Sequence, residues 1–266
     1  MPAASINEKE ELIDIIETPH LSHSRINRYL TCPEQYRLYY IEKLRPKVQG
    51  SALVFGAIIH NALAELFRDG ADPLSAFLRQ WEELVGVELR YKERESWDIL
   101  KEKGTKLIER FLAKEVPKLR AVRGVEERFD LMVGSLTLPF IGIVDLVAEM
   151  NGDIAVIDFK TAASGYDDYE VALSDQLTAY SLAKPEATKV AYCVFVKTKE
   201  PRIEWHFAER TPNDRAEYVE KVRLNGEDIL AGKFYKRSGK HCSYCDFLPI
   251  CMGDRKRAEE TLVRIT

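Results

Sequence analysis

The sequence is poor in several things, and each shortage narrows what the chain is. No apolar run approaches the length needed to span a bilayer, so no membrane-crossing helix is expected. The N-terminal stretch is rich in Glu and lacks a basic-then-apolar leader, which points to a cytoplasmic protein. Cysteine is scarce, with five among 266 residues, and without a leader these are expected as metal ligands or free thiols rather than disulfides. An excess of positive charge is also missing. The net charge is −4, which argues against a general nucleic-acid coat protein but not against a local basic surface. No internal repeat, low-complexity tract or GxxxxGK[ST] phosphate loop is visible.

What is present reads as one sizeable globular body. Hydrophobic residues make up 45% and charged residues 31% of the chain, enough for a core under a solvated surface. Residues 1–20 are acidic and lack a core face, so they read as a tail, and the remainder reads as a single domain. Ser22 or Ser24 caps a helix through RINRYLTCPEQYRLYYIEKL, kinked at Pro33 directly after Cys32. Its Tyr29, Tyr36, Tyr39 and Tyr40 are expected in packing. A second helix covers Ala52 to Phe67, with His60, Leu63, Ala64 and Phe67 on one face. Residues 72–122 form a highly charged helical insertion of about two helices. Strands follow from Val125, then a helix from Tyr169 to Ala183, strands at Lys189–Lys197 and Arg202–Phe207, and a helix from Thr211 to Ala231. This order predicts an α/β (α+β) fold, a mixed central sheet flanked by helices.

The chemistry concentrates in PFIGIVDLVAEMNGDIAVIDFKT, residues 139–161. Two apolar runs flank Asn151-Gly152-Asp153, a strong hairpin signal. Each run carries one carboxylate where an apolar residue would be expected, Asp145 and Asp158. Lys160 lies two residues beyond Asp158 and so on the same strand face. Buried charges require a partner or a metal. The pattern therefore suggests a divalent-metal site beside a cation, with salt bridges at strand ends as the other reading. Four cysteines have deliberate-looking surroundings: Cys32, and Cys242, Cys245 and Cys251 in the segment 240–253. Cys193, inside VAYCVFV, reads as a small buried hydrophobe. One CxxC with a longer step and a distant fourth cysteine leaves zinc and an iron–sulfur cluster as competing occupants.

Taken in order, Gly56-x-x-x-His60, Gly142-x-x-Asp145, Asp158-x-Lys160-Thr161 and Gln176-x-x-x-Tyr180 resemble the motifs of the RecB-like branch of the PD-(D/E)XK nucleases, over Leu21 to Cys251. The cysteines resemble those of its iron–sulfur subgroup, which includes AddB-type nuclease domains and CRISPR-associated RecB-like exonucleases. The resemblance implies that His60, Asp145, Asp158 and the Phe159 carbonyl hold Mn²⁺ or Mg²⁺. Lys160 would stabilise the attacking water or the developing phosphate charge, and Gln176 and Tyr180 would orient Lys160 and the substrate. Glu126, in VEERF, sits where many relatives carry a glutamate, with Glu127 beside it as a competitor. Cys32, Cys242, Cys245 and Cys251 would hold a [4Fe–4S] cluster joining the N- and C-terminal segments in a structural role. The expected function is a metal-dependent DNA nuclease, an exonuclease acting on single-stranded DNA or DNA ends. A nucleic-acid-binding protein with little or no cleavage and an RNA-processing nuclease are the alternatives. With no helicase motif in the sequence, unwinding would fall to a helicase, CRISPR or repair partner.

Overall fold

The computed structural model describes residues 19–265, so residues 1–18 of the expected acidic tail lie outside the described part. In chain order its labelled elements are α1 (His23–Thr31), β1 (Leu44–Pro46), α2 (Ser51–Asp69), α3 (Pro73–Glu82), α4 (Trp97–Lys114), β2 (Leu119–Leu131), β3 (Phe140–Met150), β4 (Asp153–Ala162), α5 (Asp168–Ala172), α6 (Asp175–Ala183), β5 (Lys189–Val196), β6 (Arg202–Ala208), α7 (Pro212–Leu230), α8 (Leu248–Met252), α9 (Arg255–Thr261) and β7 (Leu262–Arg264). These belong to two compact units. One comprises Gly50–Asp130 and Gly142–Tyr218, and the other comprises the segment ending at Gln49, Leu131–Ile141 and the chain from Val219 onward.

The first unit is built on a five-stranded mixed sheet in the order β2-β3-β4-β5-β6. The β3–β4 hairpin turns through Asn151 and Gly152, both at positive φ (55° and 88°). That is the type I′ turn an Asn-Gly pair favours, because its twist matches the strands. Strand β4 then runs parallel to β5, and β5 antiparallel to β6. Alternation divides the sheet into two faces. Ala155, Ile157 and Phe159 pack with Phe55, Ile59, Trp81 and Phe111 from α2, α3 and α4. Val156, Tyr192 and Val194 pack on the opposite side with Val171, Leu177 and Tyr180 from α5 and α6. The edge strand β2 is longer at its start than the expected onset at Val125. Its first residues, Leu119 to Arg123, are mostly exposed and show no apolar alternation, so periodicity does not reveal them.

The expected helix from Tyr169 to Ala183 is two helices. Asp167 opens α5 with a capping box to Glu170, and Ser174 caps α6 by accepting from the Leu177 N–H. Two N-cap side chains seven residues apart satisfy the orphan amides of two short helices, which favours two starts over one continuous helix.

In the second unit, Ser22 caps α1. Cys32 then takes an extended conformation, φ −162° and ψ 113°, and Pro33 starts a single helical turn, Pro33–Tyr36, that continues into a π-helical stretch, Arg37–Ile41. A residue before proline is pushed out of the helical region, and this break sets Cys32 apart from both helical segments. The strand β1 pairs antiparallel with β7, Leu44 opposite Arg264, and Leu38, Phe247 and Leu262 form a small core with Cys245 against it. Among the described residues, no helix is long and apolar enough to cross a membrane.

Candidate active site

Strand alternation places Asp158 and Lys160 on the sheet face covered by α6. In the strand register, Tyr192 and His206 stand opposite Asp158, and Val194 and Glu204 opposite Lys160, in two successive rows across the sheet. Asp158 is 1% exposed. Its Oδ2 lies 2.7 Å from the Lys160 Nζ and accepts no well-directed hydrogen bond. Its Oδ1 accepts from Gln176 Nε2 at 2.9 Å and faces the Tyr180 hydroxyl at 3.0 Å.

Gln176 and Tyr180 are one turn apart on α6, so they reach down side by side. The amide is held at both ends: Oε1 accepts from Lys160 Nζ at 2.7 Å, and Nε2 also donates to the Tyr180 hydroxyl at 2.9 Å. The single Tyr180 proton is shared between two acceptors, Asp158 Oδ1 and the Ile143 carbonyl at 2.9 Å. Burial and the neighbouring Asp158 charge push this phenol well above its ordinary pKa, so it stays a donor. Burial alone would lower the Lys160 ammonium, but Asp158 beside it outweighs that and raises its pKa, so Lys160 remains a cation. Burial pushes the Asp158 carboxyl upward against the pull of Lys160.

Asp145 reaches the site from β3. Regular β3–β4 pairing ends at Leu146 opposite Ile157. Two residues further along β4, the Phe159 N–H donates to Asp145 Oδ2 at 2.9 Å. The same oxygen lies 3.1 Å from His60 Nδ1, which α2 delivers from the other face of the sheet. Glycine at two motif positions leaves room for close neighbours. A Cβ on Gly56 would come within 3.0 Å of the Thr161 hydroxyl, and one on Gly142 within 2.4 Å of the Phe129 ring.

The structure therefore brings His60, Asp145, Asp158, Lys160, Gln176 and Tyr180 together. Glu126 is placed elsewhere in its bonding: at positive φ (48°), it is ion-paired with Arg68, while Glu127 pairs with Lys184. Among the described residues, no group of three or more His, Cys, Asp and Glu is gathered so as to hold a metal ion. The donor chemistry nonetheless suits a hard divalent cation: two carboxylates and an imidazole, with a buried Asp158 oxygen that faces the Lys160 ammonium and accepts no well-directed hydrogen bond among the described residues.

Several supporting residues carry no motif. The Tyr192 ring lies beneath Lys160, with Nζ 5.1 Å from its centre, and its hydroxyl meets Ser174 Oγ at 2.5 Å. Tyr166 packs edge-on against Tyr192, and His206 lies near the Tyr166 ring. Arg210, 9% exposed, donates to Thr178 Oγ1 at 2.8 Å and to the Val171 and Ser174 carbonyls, fixing the junction of α5 and α6. Tyr192 had a signal, a hydroxyl in an otherwise apolar strand. Arg210 had none.

The four cysteines lie in the second unit, and none of them is disulfide-bonded. Cys32 Sγ accepts from the Arg237 N–H at 3.4 Å, and Cys245 Sγ from Gln35 Nε2 at 3.5 Å. Burial pushes the Cys245 and Cys251 thiols up, and both sense Cys32. Donors aimed at sulfur suit thiolate ligation. Cys193 is fully buried in the sheet.

This combination of mixed sheet and carboxylate–lysine site defines the class. Residues 20–252 match the PD-(D/E)XK nuclease superfamily, and the chain belongs to it. No curated protein matches. Among solved structures, an Eubacterium rectale protein provisionally named an exonuclease is similar, with 16% identity over 88% of this chain and 87% of that one and a TM-score of 0.54. A structure described as SSO0001 shares 19% identity over 92% of this chain and 91% of that one, at a TM-score of 0.48. At these identities the first likeness is one of fold.

Proposed function

We propose that the protein is a metal-dependent deoxyribonuclease of RecB-like type that hydrolyses phosphodiester bonds, acting as an exonuclease on single-stranded DNA or DNA ends. The observation that carries this reading is the Asp158–Lys160 pair, a buried carboxylate and a partly exposed ammonium held in one hydrogen-bonded set by Gln176 and Tyr180. A buried ion pair is weak evidence of a stability role, because apolar residues do as well. A cation with fixed direction is what a phosphoryl centre of growing negative charge requires.

His60, Asp145, Asp158 and the Phe159 carbonyl would hold Mn²⁺ or Mg²⁺. When bound, such an ion supplies an acidified water and a charge clamp on the phosphate. The chain's own residues do the rest. Lys160 presents its proton-bearing ammonium to the phosphate oxygens or the attacking water. Gln176 fixes that ammonium through Oε1 and fixes Asp158 through Nε2, so a shift of either is resisted by the other. Tyr180 keeps Asp158 Oδ1 occupied, which leaves Oδ2 as the ligand. Asp145, held by the Phe159 N–H, aligns His60.

Cys32, Cys242, Cys245 and Cys251 are proposed as the ligands of a [4Fe–4S] cluster that ties α1 to the C-terminal segment. Support comes from the N–H donors at Cys32 and Cys245 and from the extended Cys32 backbone. Its role is structural, since the hydrolysis moves no electrons.

The test is incubation of purified protein with DNA and RNA, single- and double-stranded and labelled at either end, with Mn²⁺ or Mg²⁺ and with Asp158→Asn as control. Progressive loss of single nucleotides from DNA, absent in the control, is expected. Cleavage of RNA alone would transfer the reading to RNA processing. Tight binding without cleavage by folded, metal-loaded protein would make it a binding protein.

A further inference from the structure

The second unit carries a charge distribution unlike that of the whole chain. Lys233 to Arg257 holds seven Lys and Arg against two Asp, net +5, in a protein of net −4. The same 25 residues expose Tyr235 (59%), Tyr244 (76%) and Met252 (75%). Isolated exposed aromatics are ordinary on protein surfaces. Here two accompany a concentrated block of cations, and the backbone beneath them is pinned.

The pinning is specific. The Tyr235 carbonyl accepts from the Glu34 N–H at 3.0 Å, and the Lys233 carbonyl from the Tyr29 hydroxyl at 2.8 Å. Phe234 stacks on Tyr36, centroids 5.9 Å apart and planes 10° from parallel. Phe234 is half-buried against Tyr36, while Tyr235 beside it stands exposed. The Arg237 N–H is taken by Cys32, and the Arg237 guanidinium donates to the Leu30 carbonyl. Lys236 Nζ donates to the Cys251 carbonyl at 3.0 Å, and His241 meets the Arg237 carbonyl at 2.9 Å, which joins this segment to the one bearing Tyr244.

We infer that Lys233–Arg257 is a platform for single-stranded nucleic acid, in which Tyr235 and Tyr244 stack on bases while Lys240, Arg255 and Lys256 neutralise phosphates. Sequence-tolerant strand binding needs this combination of aromatic faces and cations. Duplex hides its base faces, so the platform takes single strands. An acidic protein surface would be met by the cations alone and would leave the tyrosines without a role. The inference rests on the nuclease reading only for the substrate class, and binding is measurable without catalysis.

The experiment is fluorescence anisotropy of full-length protein with a labelled thymidine 20-mer in EDTA, where no metal-dependent cleavage occurs. Tyr235→Ala with Tyr244→Ala is expected to weaken binding about thirtyfold or more, and the corresponding Phe pair to bind as wild type, since stacking needs only the ring. Neutralising Lys240, Arg255 and Lys256 to Gln is expected to reduce the slope of log affinity against log salt by roughly 2, three contacts on a single strand. Equal unfolding midpoints establish that the variants fold. The Ala pair binding as wild type would overturn the proposal, as would poly-glutamate competing as well as the 20-mer for the wild-type protein at equal charge. Hydrolysis of bis(p-nitrophenyl) phosphate with Mn²⁺, too small to need the platform, is expected to be unchanged in the Ala pair. Its absence in wild type would strike the catalytic reading alone.

Discussion

Removing Lys160 separates the electrostatics of the site from its chemistry. In chelated protein, Lys160→Ala leaves the Asp158 carboxylate 1% exposed with its Oδ2 facing no cation. Breaking a buried ion pair by deleting one partner costs about 3–5 kcal/mol. Two features of the site pull the expectation to the low end. The Lys160 side chain is 26% exposed, so water can enter where it stood. Asp158 Oδ1 also keeps its contacts with Gln176 and Tyr180. The expected loss is therefore about 3 kcal/mol in urea unfolding.

Adding Asp158→Asn to this variant removes the stranded charge, while the Asn carbonyl can still face Gln176 and Tyr180. The double variant should recover about 1–2 kcal/mol relative to Lys160→Ala, the share due to unpaired charge rather than lost packing. Manganese added to Lys160→Ala should also stabilise it more than it stabilises wild type, since the ion would replace the missing cation. Hydrolysis should fall at least about a hundredfold in both variants, the loss seen when one transition-state charge stabiliser is removed. Additive destabilisation, with the double variant worse than either single one, would refute the claim that Asp158 and Lys160 are a coupled pair.

Three further outcomes are expected. With imidazole in the ligand set, wild-type activity in Mn²⁺ should equal or exceed that in Mg²⁺, and His60→Ala should narrow the difference, measured as the ratio of initial rates. Anaerobically prepared protein should contain iron and acid-labile sulfide, lost with the colour in Cys32→Ser, Cys242→Ser, Cys245→Ser or Cys251→Ser but kept in Cys193→Ser; stoichiometric zinc without sulfide would overturn the cluster. Glu95, whose carboxyl burial would raise, is instead held below its ordinary pKa by buried Lys197 at 3.2 Å, so its contribution is present above the unfolded value and lost as pH falls through the folded one. Glu95→Gln should then cost about 3 kcal/mol at pH 7 by stranding Lys197, and the gap to wild type in urea unfolding should shrink as pH is lowered below the ordinary glutamate range.

Local signals were legible where one residue type has one physical use. Asn151-Gly152 specified its turn because both positions need positive φ. Asp145, Asp158 and Lys160 stood out because charge is expensive inside an apolar strand. Pro33 marked a break, and the structure adds that the residue before it, Cys32, is the one displaced. Legibility failed where the deciding partner is distant in sequence. Tyr192 and His206 share a row with Asp158 only through the β4–β5–β6 register, which periodicity does not encode. The division of Tyr169–Ala183 into two helices rests on Ser174, a residue equally at home in a helix or at its start.

The topology explains why the site forms at this point of the sheet. β4 has an antiparallel partner on one side and a parallel one on the other. The antiparallel hairpin brings Asp145 to Asp158 within a few residues, and its ladder ends where the Asp145 carboxylate takes the Phe159 N–H. A parallel neighbour demands a crossover, and a crossover of this length returns as a helix across the sheet face. That helix is α6, and it descends over the residues that follow the last paired positions of the hairpin, Asp158 and Lys160. Gln176 and Tyr180 reach the pair because the parallel connection lays α6 across this face, and Arg210 locks the junction of α5 and α6 by donating to the Val171 and Ser174 carbonyls. The charged pair is thus placed by two connections of opposite kind meeting at one strand. A longer α5–α6 linker that loosened this crossover would disturb Lys160 before it disturbed Asp145, whose bond to Phe159 belongs to the hairpin.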